Sequence, residues 1–215
     1  MAHSDMGNST FLSASAAQLR RLKWSNIQRR VGRIFRYSAE ERIYRMAPAD
    51  AVELPACPEF ARDRWEDLEL FIPSEPRHSR SACLKEWRER LDRGEHVYTR
   101  IEKGRLATYG WVVERQKTAH LGWTHQTLEL PDGCAVLYDF YTIPEYRNRD
   151  FYQLLLMHAM QDAANIPGTH WIYLGVRADD KVPRWWVERI GSEYCESYFY
   201  KRVLWRESKW RAHTL

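Results

Sequence analysis

The residues best suited to chemistry lie where a β-rich run passes through a basic loop into a helix. Residues Cys134–Ile143 (CAVLYDFYTI) form a nearly unbroken β-rich run, as expected of a strand covered on both faces. A loop carrying Arg147 and Arg149 follows, and a helix rich in leucine and methionine is predicted from about Asp150 to Ala164. A strand that leads through a basic loop into a helix N-terminus presents unpaired backbone N–H groups beside positive charge. The junction therefore suits a pyrophosphate group.

Other reactive side chains form no recognisable site in the sequence. The four cysteines, at positions 57, 83, 134 and 195, are far apart and include no C-x-x-C pair, so reduced thiols are expected. The eight histidines show no metal-ligand spacing, and no G-x-S-x-G or Walker pattern occurs. The sequence therefore predicts no metal site.

The elements that would position the junction follow from changes of hydrophobic period along the chain. Upstream, the patterns predict helices over 61–72 and 81–93 and a hairpin of strands over 96–102 and 106–113. Downstream, they predict a strand over 169–176, a helix over 183–190 and a strand over 197–205. Strands that alternate with helical crossovers indicate an α/β (α+β) domain with a mixed, partly parallel sheet.

At the junction, the run YDFYTIPEYRNRD resembles the acyl-CoA-binding motif of the GNAT superfamily of N-acetyltransferases. In that family the strand ends in an apolar-x-Pro step, and the loop reads Arg/Gln-x-x-Gly-x-Gly/Ala. Residues 187–191 (VERIG) also resemble the late helix of the family, and the order of elements agrees from Trp65 to Trp205, about two thirds of the chain. The resemblance implies a GNAT-like fold in a single domain, with acetyl-CoA or another acyl-CoA as a substrate.

The resemblance also implies which residues bind the acyl-CoA: Thr142, Ile143, Arg147, Asn148, Arg149, Asp150, Phe151 and Tyr152. Arg147 matches the first position of the motif. Asp150 stands where the family prefers Gly, and a carboxylate at a helix N-terminus would repel a pyrophosphate; the alternative role for Asp150 is a helix N-cap. Tyr152 stands at the second Gly/Ala position, as it does in members associated with surface polysaccharides.

In this family an amine attacks the thioester directly, which needs a base for the amine and an acid for the departing thiolate. Asp139 is the candidate base or amine-binding group, since burial in the strand would raise its pKa. It serves equally well as a structural partner of an arginine or a backbone group, and both interpretations stay open. The tyrosine acid of the family aligns with Val187, which has no proton to donate, so Tyr141, Tyr152 and Tyr194 are the candidate replacements.

The basic character of the chain is concentrated near its start. The chain has 33 basic and 29 acidic residues, a net charge of +4. Residues 20–36 carry seven basic side chains and no acidic one, so the remainder carries a net charge of −3. Apolar residues recur at helical spacing over 19–36, which predicts an amphipathic helix that either binds an anionic membrane surface or packs against the domain. With so little positive charge elsewhere, no nucleic-acid partner is predicted.

These observations predict a disordered start and basic leader over residues 1–47 and an acyltransferase domain over 48–215. The sequence shows no secretory signal and no run of about 20 apolar residues, so a cytoplasmic location is expected, peripheral at the membrane if the leader binds there. The favoured function is an N-acyltransferase acting on a small amine, such as an amino sugar of a surface polysaccharide or glycolipid precursor. The alternatives are a catalytically silent GNAT-like binding or scaffold protein, and a peripheral membrane-binding protein that uses the leader.

Overall fold

The computed structural model describes residues 36–55, 60–74 and 79–213. In chain order the strands are β1 (Arg36–Met46), β2 (Ala61–Arg62), β3 (His96–Glu102), β4 (Arg105–Val113), β5 (Thr118–Leu121), β6 (Gln126–Glu129), β7 (Cys134–Thr142), β8 (Trp171–Arg177), β9 (Glu193–Val203) and β10 (Arg206–His213). The helices are α1 (Pro48–Val52), α2 (Trp65–Glu69), α3 (Arg80–Asp92), α4 (Phe151–Ala164) and α5 (Lys181–Arg189). Apart from Arg36, the predicted basic helix lies outside the described residues, as does most of the predicted disordered start.

Eight strands form one sheet in the order β10-β9-β1-β8-β7-β4-β3-β2, and β5 pairs with β6 in a separate hairpin. Strands β7 and β8 run parallel, whereas β3 with β4, β4 with β7, and β1 with β8 are antiparallel. A parallel pair needs a crossover, and α4 supplies it between β7 and β8. This confirms the predicted mixed, partly parallel sheet.

Within the described part of the chain there are two compact units, residues 39–199 with 209–213 and residues 36–38 with 200–208. The larger unit contains the five helices and most of the sheet. In the smaller unit the rings of Tyr37 and Tyr200 are 5.6 Å apart, and the Tyr200 hydroxyl donates a hydrogen bond to Glu207. Strand β1 lies before the boundary that the sequence predicts at residue 47, yet it belongs to the main sheet.

Most elements with strong local periodicity form close to their predicted positions. The hairpin of β3 and β4, strand β7 and helices α3 and α4 agree with the sequence patterns to within one or two residues. The long helix predicted over 61–72 is wrong, because this stretch forms the short strand β2 and the five-residue helix α2. Strands β1, β5, β6 and β10 were not predicted, since their residues are largely polar and show no clear apolar alternation.

Three apolar clusters cover the two faces of the sheet. Residues of α4 and α5 pack with Tyr44 and Leu137, while Trp87 of α3 packs with Trp111 and other residues of β4. A third cluster holds the β5–β6 hairpin against Val136 and its neighbours. Because adjacent residues of a strand point to opposite faces, the clusters around Leu137 and Val136 lie on opposite sides of β7. Strand β7 is therefore covered on both faces, as its unbroken apolar run predicts.

Candidate functional site

Strand β7 contains a bulge in its pairing with β4. Tyr109 of β4 pairs with Tyr141 of β7, and Trp111 of β4 pairs with Tyr138 of β7. Between these two pairs, the single β4 residue Gly110 faces two β7 residues, Asp139 and Phe140. One of these two, Asp139, has a φ of 52°, in the left-handed region. A bulge of this kind bends the strand and redirects the side chains that follow it.

Beyond the bulge, β7 and β8 are no longer paired. The parallel pairing joins Cys134–Leu137 to Trp171–Leu174, yet β7 continues to Thr142 and β8 to Arg177. Within the described part of the chain, the edge of β7 from Tyr138 onward therefore has no ladder partner on the β8 side. A strand edge without a ladder partner can present backbone N–H groups to a bound molecule.

The loop after β7 leads into helix α4 through two residues with positive φ. A one-turn 3₁₀ helix covers Pro144–Tyr146, and Asn148 and Asp150 have φ values of 65° and 59°. Asn and Asp occupy the left-handed region more readily than most residues with side chains, which explains how Asp150 can stand where the GNAT motif prefers Gly. Helix α4 then begins at Phe151, and its first N–H groups have no acceptor within the helix.

Asp150 occupies the N-cap position of α4, the alternative role that the sequence offered, and its backbone carbonyl accepts a hydrogen bond from the Leu154 N–H at 3.0 Å. Its side chain makes no capping hydrogen bond within the described part of the chain, and its backbone conformation is left-handed rather than extended. The carboxylate therefore lies beside the helix N-terminus but accepts no capping hydrogen bond from the first N–H groups of α4.

The unpaired edge of β7, the loop and the starts of α4 and α5 surround a cavity of about 460 Å³. Six of the eight predicted acyl-CoA-binding residues line it: Thr142, Arg147, Asn148, Asp150, Phe151 and Tyr152. The other two lie elsewhere. Ile143 is fully buried and donates its backbone N–H to the carbonyl of Ala107 at 2.9 Å, and the Arg149 guanidinium stacks over the Tyr146 ring at 5.3 Å.

Eight of the 14 residues that line the cavity were not predicted as cofactor-binding. They are Tyr141, which was a candidate proton donor, and Phe140, Tyr146, Gln153, Asp180, Val182, Pro183 and Trp186. Several of these residues come from α5 and the residue before it, which follow β8 in the chain. Ligands of parallel sheets bind at the carboxyl ends of the strands. By that rule, the start of the helix after β8 could have been predicted as part of the binding site.

Arg147 is the cationic residue in the lining of this cavity. Its Nε donates a hydrogen bond to the carbonyl of Thr142 at 3.2 Å, and its guanidinium lies 5.7 Å from the centre of the Tyr141 ring. Asp150 and Asp180 bring negative charge to the same lining. Burial raises the pKa of Asp180, while the charges of Arg177 and Arg147 lower it in part.

Asp139 is exposed rather than buried. The Arg90 Nη1 donates a hydrogen bond to its Oδ2 at 2.7 Å, and 36% of the Asp139 side chain is accessible to solvent. Arg90 itself is largely buried, with the rings of Trp111 and Tyr138 each 5.0 Å from its guanidinium. The expected burial of Asp139 is therefore wrong, because the bulge turns its side chain toward α3, and the arginine partner that the sequence left open is Arg90.

The three candidate tyrosines separate into two places. Tyr141 and Tyr152 line the cavity, and burial raises the pKa of Tyr152 well above its ordinary value of 10.0. Tyr194 lies on β9, donates a hydrogen bond to the Ser197 Oγ at 2.8 Å and lines a different cavity. Val187 is fully buried in the apolar core. Of the three candidate tyrosines, Tyr141 and Tyr152 therefore lie at the first cavity and Tyr194 does not.

Aromatic residues surround Tyr141 on the α3 side of the sheet. The Tyr109 ring centre lies 5.7 Å from that of Tyr141 and 4.9 Å from that of Trp87. The Tyr141 hydroxyl is 3.5 Å from the Ser74 Oγ, in the segment that precedes α3. Tyr141 of β7 therefore packs in a row with Tyr109 of β4 and Trp87 of α3.

The described residues contain neither a metal-ligand group nor a helix suited to span a membrane. Among residues 36–55, 60–74 and 79–213, no three His, Cys, Asp or Glu side chains are grouped closely enough to hold a metal ion. None of the helices within these ranges is long and apolar enough to cross a membrane. Cys83, Cys134 and Cys195 are free thiols, and burial raises the pKa of Cys195 to about 11.

Comparison with known proteins supports an assignment of the fold. No family model and no curated protein matches the chain. Among solved structures, a GNAT-family acetyltransferase from Colwellia psychrerythraea has a TM-score of 0.54 and 9% sequence identity, over 79% of this chain and 57% of its own. A putative GNAT-family acetyltransferase from Novosphingobium aromaticivorans has a TM-score of 0.50 and 16% identity, over 83% of this chain and 66% of its own. The fold is that of the GNAT acetyltransferases.

A protein of unknown function from Staphylococcus epidermidis is also similar, with a TM-score of 0.52, 8% identity and coverage of 82% of this chain and 65% of its own. The chain thus spans between 57% and 66% of the length of these three structures. The predicted GNAT-like fold is confirmed. In that fold the cavity lies at the junction that the sequence motif predicts, beside the separated strands β7 and β8.

Proposed function

We propose that the protein transfers an acyl group from acyl-CoA to an amine. The observation that carries the proposal is the separation of β7 from β8 beyond Leu137, directly beside a cavity that the start of α4 borders. A thioester carbonyl placed along the free edge of β7 can accept a hydrogen bond from a backbone N–H group. Such a donor stabilises the negative charge that develops on the oxygen during attack.

The loop and the first turn of α4 bind the pyrophosphate of the CoA. Their backbone N–H groups and the positive end of the helix dipole attract negative charge, and Arg147 adds a full positive charge. The two carboxylates of Asp150 and Asp180 oppose this attraction, so Arg147 is the residue that makes the site suitable for an anion.

The reaction needs no acyl-enzyme intermediate. The amine nitrogen forms a bond to the carbonyl carbon, the carbon–sulfur bond breaks, and the thiolate of CoA leaves. Asp139, held by Arg90, binds the acceptor ammonium and takes up a proton from it. Tyr152 or Tyr141, which both line the cavity, returns a proton to the thiolate.

The proposed acceptor is an amino sugar of a surface polysaccharide or glycolipid precursor. Two sequence features support this class: Tyr152 at its motif position and the basic leader over residues 19–36. A leader that binds an anionic membrane surface would bring the domain to a lipid-linked precursor on the cytoplasmic side.

The proposal is tested first by calorimetric titration of the full chain with acetyl-CoA. We expect Arg147→Ala to weaken binding by about tenfold, the loss typical of one hydrogen bond to a charged group. Arg149→Ala removes an arginine of the same loop that does not line the cavity; it is the matched control and should change the affinity less than about twofold. No binding by the wild-type chain at millimolar acetyl-CoA would refute the proposal.

Turnover is tested by following thiol release from acetyl-CoA with a panel of amino sugars. Asp139→Asn should abolish release at saturating amine while leaving acetyl-CoA affinity unchanged, because Asp139 does not line the CoA cavity. Equal loss of acetyl-CoA binding in this variant would assign Asp139 to structure rather than to catalysis.

A second candidate, a GNAT-like protein that binds without turnover, is favoured by the two carboxylates in the cavity and by the buried Val187. Under this candidate, acetyl-CoA binds yet no amine of the panel accelerates thiol release. The two candidates therefore differ in the second experiment and agree in the first.

A further inference from the structure

Phe140 forms one wall of the cavity, beside the unpaired edge of β7. The bulge places its side chain with the apolar cluster under α4, whereas the next residue, Tyr141, packs with the cluster on the α3 side. The Phe140 ring lies directly on Gly110 of β4: a Cβ built on Gly110 would be 2.7 Å from two of its ring carbons. The ring thus occupies space that exists because Gly110 has no side chain.

Two further aromatic residues complete this part of the lining. Tyr152 on α4 has its ring centre 6.2 Å from that of Phe140, and Trp186 contributes from α5. The half-buried Phe140 ring is therefore bounded by Gly110 on the sheet and by Tyr152 on α4.

We propose that Phe140 restricts the transferred acyl group to a short chain of about the size of acetyl. This inference rests on the proposed acyl-CoA function, in which the thioester carbonyl binds along β7 between Tyr138 and Thr142. Phe140 lies within that segment, so carbon atoms added to the acyl group extend toward its ring. Since the ring already touches the backbone at Gly110, a longer chain has to displace it at a cost in affinity.

Calorimetric titration of the full chain with CoA, acetyl-CoA and hexanoyl-CoA tests the inference. We expect wild type to bind acetyl-CoA more tightly than hexanoyl-CoA. The ratio of the two dissociation constants should shift toward hexanoyl-CoA by at least about tenfold in Phe140→Ala and by less in Phe140→Leu, since each missing group in an apolar pocket changes discrimination by roughly 10-fold or more. Phe140→Leu keeps the test usable if the larger truncation does not fold.

Phe60→Ala is the matched control. Phe60 is a buried phenylalanine of the same apolar cluster that does not line the cavity, so its removal should leave the ratio unchanged. If wild type binds CoA and acetyl-CoA but both Phe140 variants keep the wild-type ratio, or if wild type binds hexanoyl-CoA as tightly as acetyl-CoA, the inference about Phe140 is overturned. If wild type binds none of the three compounds, the proposed function fails and the inference fails with it.

Discussion

Asp139 holds a backbone conformation with positive φ, and this one residue sets the directions of the side chains after it on β7. Without the bulge, strict alternation would point residues 137 and 139 to one face and 138 and 140 to the other. With the bulge, Phe140 packs with the cluster that contains Leu137, and Asp139 is free to reach Arg90. The roles proposed for Asp139 as a base and for Phe140 as a wall of the acyl site therefore both depend on this bulge.

Gly110→Ala tests the contact that accompanies the bulge. A methyl group at this position would lie 2.7 Å from the Phe140 ring, so we expect a loss of about 1 to 3 kcal/mol in the free energy of unfolding, the usual cost of overpacking. Urea denaturation measures it. Gly122→Ala is the control, because a Cβ there meets no atom within 4 Å.

The same substitution in a Phe140→Ala background should cost less than about 0.5 kcal/mol, since the clashing ring is gone. An equal cost in both backgrounds would show that the Phe140 ring is not the obstacle.

Glu41 on β1 is a buried carboxyl group. This glutamate is 6% exposed, and burial raises its pKa from 4.5 to about 7, although the backbone of Trp123 and Thr124 and the charge of Arg177 act in the opposite direction. The folded chain therefore favours the protonated carboxyl group. Stability associated with Glu41 is present below its unfolded pKa and is lost as the pH rises through about 7.

We expect the Glu41 contribution to fall by about 2 to 3 kcal/mol between pH 5 and pH 8, and Glu41→Gln to remove this fall. Urea denaturation at the two pH values measures the difference between variant and wild type. Glu53→Gln, at an exposed glutamate just after α1, provides the control. A Glu41→Gln variant with the same pH dependence as wild type would contradict the assignment.

The loop between β7 and α4 contains Asp150, which adopts a backbone conformation typical of glycine and carries a negative charge. The φ of 59° at Asp150 explains why a residue other than glycine is tolerated in the motif, since Asp and Asn adopt this region more readily than most. The remaining difference from the GNAT motif is electrostatic: the carboxylate lies at the positive end of the α4 dipole and competes with an anionic ligand.

Asp150→Asn separates charge from conformation. Asparagine tolerates the same backbone geometry, so the fold should be retained, while removal of the carboxylate should tighten acetyl-CoA binding by about 2- to 5-fold, corresponding to a helix-terminus interaction of about 0.3 to 1 kcal/mol. Calorimetric titration measures the change. Glu145→Gln, an exposed carboxylate in the preceding turn that pairs with Arg105, is the control and should leave the affinity unchanged.

Element prediction succeeded where local patterns were strong. Strand β7, the β3–β4 hairpin and α4 have long apolar runs or clear turn residues, and these signals do not depend on distant contacts. The stretch over 61–72 looked helical, but Ala61 and Arg62 pair with β3, so a long-range contact overrode the local preference. The sequence also grouped Tyr194 with the site, but Tyr194 lies on β9 and lines another cavity.

At the scale of the whole molecule, charge is divided between the start of the chain and the rest. The leader over residues 19–36 lies almost entirely outside the described residues, and its binding to an anionic surface stays a prediction. Each basic residue near such a surface contributes about 1 kcal/mol to binding, so a group of seven would be sufficient for measurable association.

Charge reversal tests this prediction in the full chain. We expect the triple variant Arg29→Glu, Arg30→Glu and Arg33→Glu to lose co-sedimentation with vesicles that contain phosphatidylserine. A triple variant with the same charge change at exposed lysines of the domain, Lys85, Lys103 and Lys117, should keep it. Equal sedimentation of the two variants would show that the leader is not the membrane-binding segment.

The sequence by itself determined the elements around the junction, the motif from Tyr138 to Asp150 and six of the 14 residues that line the cavity. These features are local, because apolar period, turn residues and motif spacing are properties of short stretches of chain. Only the tertiary structure decided that β1 lies between β8 and β9, that β7 separates from β8 after Leu137, and that Phe140 rests on Gly110. Each of these depends on pairing between residues distant in the chain, and a strand's local pattern specifies its faces without specifying its partners.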